Sequence, residues 1–176
     1  MKTIKILVLS MILITGFSCS KDSVNPPIDL SADFTGNWVL YSYHYSGITT
    51  TIYEDSATQT QFTGIGFEIL LNTFFSEDPN NYTSNGQYAV EHIVTDEDGN
   101  QYLYLRFVQI NDIGTWTRQN NSITLNVDGE SLQGFISELT EDTLKITINS
   151  TTTDLIENNV ERHISQTENY VFVRNL

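Results

Sequence analysis

The sequence predicts an all-β fold, a single antiparallel β-barrel of about eight or nine short strands. Residues 122–127 and 143–148 alternate polar and apolar side chains, which is the period of a half-buried strand. Residues 101–110 are rich in the aromatic and β-branched side chains that strands favour. Asp-Gly pairs at 98–99 and 128–129 supply tight turns between antiparallel neighbours. Beyond residue 18, no segment keeps a helical period for more than a turn or two.

Strands with large side chains on both faces favour a barrel over a sandwich, because one face then packs in the core and the other lines a cavity or meets a partner. Residues 102–107 place Leu103, Leu105 and Phe107 on one face and Tyr102, Tyr104 and Arg106 on the other. In the opening strand, alternation puts Tyr41, Tyr43 and Tyr45 on the face opposite Trp38.

Tyrosines on two of these strand faces are the candidate ligand-binding residues, because each combines an apolar ring with a polar hydroxyl. The candidates are Tyr41, Tyr43, Tyr45, Tyr102 and Tyr104. The alternative is that tyrosine simply suits half-exposed strand faces and has no ligand to contact.

The first 18 residues have the anatomy of a secretory signal, with a basic start at residues 1–5 and an apolar run at residues 6–17. The run is too short for a transmembrane helix, which needs about 20 residues. The segment resembles a bacterial lipoprotein signal, and this resemblance implies that Cys19 becomes the lipid-bearing first residue. Cys19 is the one cysteine of the chain, so it has no intramolecular disulfide partner. The alternative is ordinary cleavage nearby that discards it.

Charge excludes several classes of partner. The chain has 8 basic and 22 acidic residues, a net charge of −14, and removal of the signal would take away two lysines and no acidic residue. A surface this acidic repels nucleic acid and lacks the basic patch that docks on anionic lipid. Scattered carboxylates leave weak calcium binding open, but residues 96–100 lack the spacing of an EF-hand loop and read as a hairpin turn.

Catalytic constellations are missing from the sequence, which predicts a protein that is not an enzyme and uses no cofactor. His44, His92 and His163 lie far apart and have no metal-ligand spacing. The chain has no Gly-x-Ser-x-Gly motif, no phosphate-binding loop and no Cys–His pair. We therefore assign no catalytic residue and no metal ligand.

A family resemblance accompanies these patterns. Residues 34–40, Phe-Thr-Gly-Asn-Trp-Val-Leu, resemble the Gly-x-Trp opening strand of lipocalins, and residues 85–88, 114–116, 121–125 and 136–146 continue in the order of bacterial lipocalin-like lipoproteins. Residues 170–174 resemble the closing strand with its terminal basic residue. The resemblance covers nearly all of residues 33–176. It implies an apolar barrel interior open at one end, with Trp38 closing the floor and Arg174 stacked over it in a structural role.

These observations predict a lipid-anchored lipoprotein of a Gram-negative envelope. It would be held at the outer membrane through Cys19 and would bind a small apolar or amphipathic ligand in its barrel. Residues 1–18 would be the signal, 19–32 the lipidated cysteine and a flexible tether, and 33–176 the barrel domain. Charged residues 21–23 loosely resemble surface-export signals. The alternative is a surface scaffold or interaction protein with a filled barrel, acting through loops such as residues 49–61.

Overall fold

Eight antiparallel strands account for nearly all of the chain that the computed structural model describes, residues 30–157 and 160–175. In chain order they are β1 Gly36–Ile52, β2 Ala57–Ser76, β3 Asn81–Thr95, β4 Gln101–Gln119, β5 Ser122–Val127, β6 Glu130–Leu139, β7 Thr143–Glu157 and β8 Val160–Arg174. Each strand pairs with the next, and β1 pairs with β8, which closes the barrel. The predicted all-β barrel is confirmed.

The strand patterns and turns follow the sequence closely. Residues 122–127 form β5, and residues 143–148 open the longer β7. The Asp-Gly pair at 98–99 lies in the β3–β4 turn, and the pair at 128–129 forms the tip of the β5–β6 hairpin. At that tip Asp128 and Gly129 both have positive φ, 50° and 88°, which Asp-Gly sequences tolerate better than most.

One side of the barrel is shorter than the rest, because β5 and β6 have 6 and 10 residues while β4 has 19 and β7 has 15. On the β5–β6 side, β4 is paired only over residues 114–119, and β7 only over residues 144–148. Beyond the hairpin tip, residues 101–113 of β4 and 149–157 of β7 therefore face each other without a strand between them. We call this gap the side window.

The opening strand carries a β-bulge that changes which residues face inward. The register of β1 against β8 shifts between Leu40 and Ser42, so Trp38 and Leu40 share the interior with Tyr43 and Tyr45. Tyr41 lies on the outside, with 72% of its surface exposed. The prediction that Tyr41 shares a face with Tyr43 is therefore wrong, because an extra residue in a bulge reverses the alternation that follows it.

Residues 49–61 are also different from the prediction. They are the facing ends of β1 and β2, joined by the short turn 53–56, where the Tyr53 amide donates to the Ser56 carbonyl at 2.7 Å. The expected long interaction loop is wrong, since both ends of the segment continue regular strand pairing from Thr49↔Thr60 to Ile52↔Ala57.

The predicted signal, Cys19 and most of the predicted tether lie outside the described residues. Of the tether, residues 30–32 are described, and Leu30 and Ala32 pack against the core. Arg118 Nη2 also donates to the Leu30 carbonyl at 2.9 Å, so these residues belong to the packed domain. Within the described part of the chain, no helix is long and apolar enough to cross a bilayer.

Candidate functional site

A cavity of about 570 Å³ lies inside the barrel. This volume is within the range of small-molecule pockets and is many times the volume of one water molecule. Its inner wall is formed by aromatic and aliphatic side chains from six strands, and the following residues contribute most of it: Leu71, Phe75, Tyr82, Tyr88, Ile110, Leu125, Val127, Ile146, Ile148, Tyr170 and Phe172. The exposed lining residues lie at the β5–β6 tip, so the cavity opens at the border of the side window.

The floor of the barrel closes the cavity at the end where β1 begins. Trp38 is fully buried, and its indole N–H donates to the Phe34 carbonyl at 2.9 Å. The Arg174 guanidinium lies 4.2 Å from the centroid of the Trp38 ring and donates to the Thr35 carbonyl at 2.8 Å. This is the arrangement that the family resemblance implies, and it makes both residues structural supports for the cavity.

A layer of hydrogen-bonded tyrosines closes the cavity on the side away from the floor, between the cavity and the open end of the barrel. Glu168 accepts hydrogen bonds from the hydroxyls of Tyr43 and Tyr170, both at 2.9 Å, and from the Gln166 amide at 2.7 Å. Burial, followed by the charge of Glu168, raises the pKa of Tyr43 and of Tyr170. Burial likewise raises the pKa of Tyr88 to about 12. The hydroxyls of Tyr43 and Tyr170 therefore stay protonated at neutral pH and donate hydrogen bonds to the carboxylate of Glu168.

Beyond this layer, Tyr45 and His92 face the open end of the barrel. The Tyr45 hydroxyl and His92 Nδ1 lie 2.7 Å apart. Burial lowers the pKa of His92, with a further contribution from Arg106, so the imidazole is held neutral. Gly64 makes room for this pair, because a Cβ at that position would overlap the Tyr45 ring.

Polar groups within the cavity wall are few. Thr73 and Ser84 are buried, and their hydroxyls lie 2.9 Å apart, so they satisfy each other. The Tyr82 hydroxyl has no hydrogen-bond partner among the described residues. Burial, and then the charges of Asp112 and Asp128, raise the pKa of Tyr82 to about 12. The wall is therefore mostly apolar, with a phenol donor left for whatever enters the cavity.

The rim of the cavity is acidic. Asp112 on β4 is half-buried, and Asp128 and Glu130 at the β5–β6 tip are exposed. The pairing of Gly114 with Val127 brings the tip of the hairpin alongside Asp112. No lysine, arginine or histidine is among the residues described as lining this cavity.

A family model matches most of the barrel. A model described as a lipocalin-like domain matches residues 34–146, which is more than half of the chain. The chain belongs to the lipocalin-like domain family. The match includes β1 to β6 and the start of β7, and the remaining strands complete the barrel. Membership suggests the binding of a small hydrophobic ligand. No curated protein and no solved structure gives a significant match.

The lipocalin-like barrel separates the tyrosines that the sequence grouped together. Tyr43 is buried in the layer that closes the cavity, Tyr45 is buried beyond that layer, and Tyr41 lies on the outer surface. Tyr102 and Tyr104 are 48% and 52% exposed, and the Tyr104 ring lies 6.2 Å from the His92 ring near the open end. None of the five lines the cavity. Their predicted role in ligand binding remains a prediction.

The tyrosines that do line the cavity were missed by sequence reasoning. Tyr82 and Tyr88 are on β3 and Tyr170 is on β8, so no single stretch of sequence groups them. A signal was available in the alternation of β3, where Tyr82, Ser84 and Tyr88 have the same parity and all prove to be buried.

The three histidines do not form a centre in the lipocalin-like barrel. His92 belongs to the Tyr45 pair, His163 lies on β8 beside Thr153, and His44 is exposed on β1. No group of three or more metal-ligating side chains occurs among the residues that the structure describes. Asp96, within the predicted acidic turn, accepts hydrogen bonds from the Asn100 amide and side chain, which lowers its pKa. The turn is therefore held by its own carboxylate.

Proposed function

We propose that the protein binds a small hydrophobic or amphipathic ligand in the barrel cavity and acts by binding, without catalysis. The observation that carries this proposal is the cavity of about 570 Å³ with mainly apolar walls and an opening at the side window. A filled barrel would leave no such volume, because protein interiors are packed to the density of organic crystals. Family membership supports the same function.

A neutral fluorescent probe tests ligand binding. N-phenyl-1-naphthylamine brightens in apolar surroundings, so the full chain should increase its fluorescence in a saturable way. Ile110→Trp places an indole in the cavity wall and should weaken this binding at least tenfold. Ile113→Trp adds the same indole to the outer face of the same strand, where Ile113 is exposed, and should leave binding unchanged.

Comparing the two variants also distinguishes probe binding in the cavity from probe binding to the apolar N-terminal stretch, because both variants retain that stretch. Native mass spectrometry of protein purified without refolding provides a second measurement, since a bound cellular ligand would add a mass that organic solvent removes. Equal probe binding by the two tryptophan variants would contradict the proposal, because the probe would then be bound outside the barrel.

We further propose that the chain is anchored through a lipid on Cys19 and works in the envelope of a Gram-negative bacterium. The support is the lipoprotein-like signal at residues 1–18 and the acidic composition of the rest of the chain. Intact mass measurement of the protein recovered from membranes tests the anchor. Cys19→Ser should lose the acyl mass and the partition into detergent, and retention of both would contradict it.

A second candidate function is contact with another protein through the outer face of β4. Leu103, Leu105 and Phe107 project outward there, and Phe107 is 82% exposed. Contiguous exposed apolar side chains are typical of interaction surfaces. Chemical cross-linking in intact cells tests this candidate. Phe107→Ser should abolish a specific cross-linked product under this reading, whereas Ile110→Trp should retain it.

A further inference from the structure

The sign of the charge around the cavity opening carries a more specific conclusion about the ligand, and this conclusion rests on the proposed binding function. The rim is formed by Asp112, Asp128 and Glu130. These three are the charged residues among those that line the cavity, and all of them are acidic. A further carboxylate, Glu168, lies in the tyrosine layer, where it accepts a hydrogen bond from the hydroxyl of Tyr170, a residue of the cavity wall. A molecule in the cavity therefore has carboxylates at the side opening and at the tyrosine layer.

The carboxylates at the layer and at the rim differ in how many hydrogen bonds they accept from the protein. Glu168 accepts three hydrogen bonds, from Tyr43, Tyr170 and Gln166, so its charge is already solvated by the protein. Asp112 has no hydrogen bond or ion pair with any described residue, although it is half-buried beside apolar walls. A carboxylate that has no partner in the protein is available to a cationic group of a ligand, and such charge-assisted contacts are stronger than neutral ones.

The charges of two rim carboxylates, Asp112 and Asp128, act on the Tyr82 hydroxyl in the cavity wall. The pKa of Tyr82 is raised first by burial and then by these two charges. The same field that disfavours a phenolate disfavours any anion in the cavity. Fatty-acid-like molecules, which would put a carboxylate at this rim, meet like charge there, and no basic residue is among those that line the cavity. Arg106, whose charge reaches Tyr88, lies beside Tyr45, beyond the tyrosine layer.

We infer that the cavity selects amphipathic amines, with the ammonium group at the rim formed by Asp112, Asp128 and Glu130 and the apolar body against the inner wall. The window geometry suits this orientation, because the cation remains near water while the hydrocarbon is buried. The apolar wall provides affinity, and the rim decides which polar end group is accepted.

Three ligands with the same hydrocarbon chain and different end groups test the inference: decylamine, decanol and decanoate. Each displaces N-phenyl-1-naphthylamine from the full chain at neutral pH and low salt. Decylamine should bind about tenfold more tightly than decanol, as expected for a charge-assisted contact at a half-exposed site. Decanoate should bind more weakly than decanol, since its carboxylate lies beside Asp112.

Variants assign the preference to the rim. Asp112→Asn keeps the shape and removes the charge, and should lower the ratio of decylamine affinity to decanol affinity about threefold to tenfold. Asp98→Asn removes one charge from the exposed β3–β4 turn and should change neither. Ile110→Trp, in which the cavity is blocked, serves as the control for decylamine that binds elsewhere, because a chain of net charge −14 attracts cations in general.

The outcomes separate this inference from the function on which it rests. If all three ligands displace the probe equally, or decanoate is preferred, the amine inference is overturned while cavity binding stands. If none displaces the probe and the probe does not bind, the proposed binding function itself fails. The wild-type comparison needs no variant, so poor folding of Asp112→Asn would leave the test intact.

Discussion

Removal of the Arg174 side chain should cost more stability than any other single change of a charged residue in the described barrel. The guanidinium lies 4.2 Å from the Trp38 ring centroid and donates to three backbone carbonyls in two segments, at Asp33 and Thr35 and at Glu141. It thereby joins the end of β8 to the segment before β1 and to the β6–β7 turn. No other described arginine or lysine connects as many elements.

The magnitude follows from these contacts. A cation–π pair of this geometry contributes about 1 kcal/mol. Hydrogen bonds from charged donors contribute about 1.5–3 kcal/mol each when buried, and about half of that or less at a half-exposed site. Three such bonds and the ring contact give about 3 kcal/mol for Arg174→Ala. In a chain of this size the melting temperature should fall by about 6–12 °C.

Urea unfolding followed by tryptophan fluorescence measures this loss, with Arg162→Ala as the matched control. Arg162 is also on β8, but its contact is an exposed ion pair with Asp154 at 2.8 Å, for which about 0–1 kcal/mol is expected. A cost below about 1 kcal/mol for Arg174→Ala, or equal costs for the two variants, would refute the assignment of Arg174 as the closing contact of the floor.

Two further predictions concern stability. His92 has a folded-state pKa below its unfolded value, so it stabilises the protein above about pH 6.5, and this stability is lost as pH falls through the folded pKa. His92→Gln should therefore lose less stability than the wild-type protein between pH 7 and pH 5, as measured by urea unfolding. An equal loss of stability in the two proteins would contradict a lowered pKa for His92. Gly86→Ala should destabilise by about 2 kcal/mol or more, because φ is 142° and a Cβ would meet the Leu70 carbonyl. Gly99→Ala, at φ 83° with open space around it, should cost only about 1 kcal/mol, and equal melting temperatures for the two variants would count against this reason.

Local patterns were sufficient to predict the strands and the turns, because alternation and Asp-Gly chemistry depend on neighbours in sequence. They failed where one residue changed the register. The bulge after Leu40 has no distinctive residue in it, and it is stabilised by pairing with β8, more than a hundred residues away. Tyr41 could therefore not be placed from its own strand.

The cavity was beyond the reach of sequence reasoning for a related reason. Alternation decides whether a residue faces inward, but not its height along the barrel axis or its neighbour across the interior. Tyr43 and Tyr88 both face inward, yet only Tyr88 lines the cavity. Heights depend on the stagger between strands, which is a property of the closed ring. The acidic rim could not be predicted either, because it forms only when strand pairing brings the β5–β6 tip alongside Asp112.

The pairing of β1 with β8 also constrains how the chain can reach its native state. The Arg174 side chain bonds to Thr35, 139 residues earlier, so the ring cannot be completed until the last strand is present. During synthesis, one edge of β1 would remain unpaired until β8 has been made. Pairings of such high contact order are slow, on the order of milliseconds to seconds. A chain that lacks β8 would therefore expose the unpaired backbone N–H and C=O groups of β1 and β7. Because such edges pair with strands of other chains, the truncated protein should aggregate.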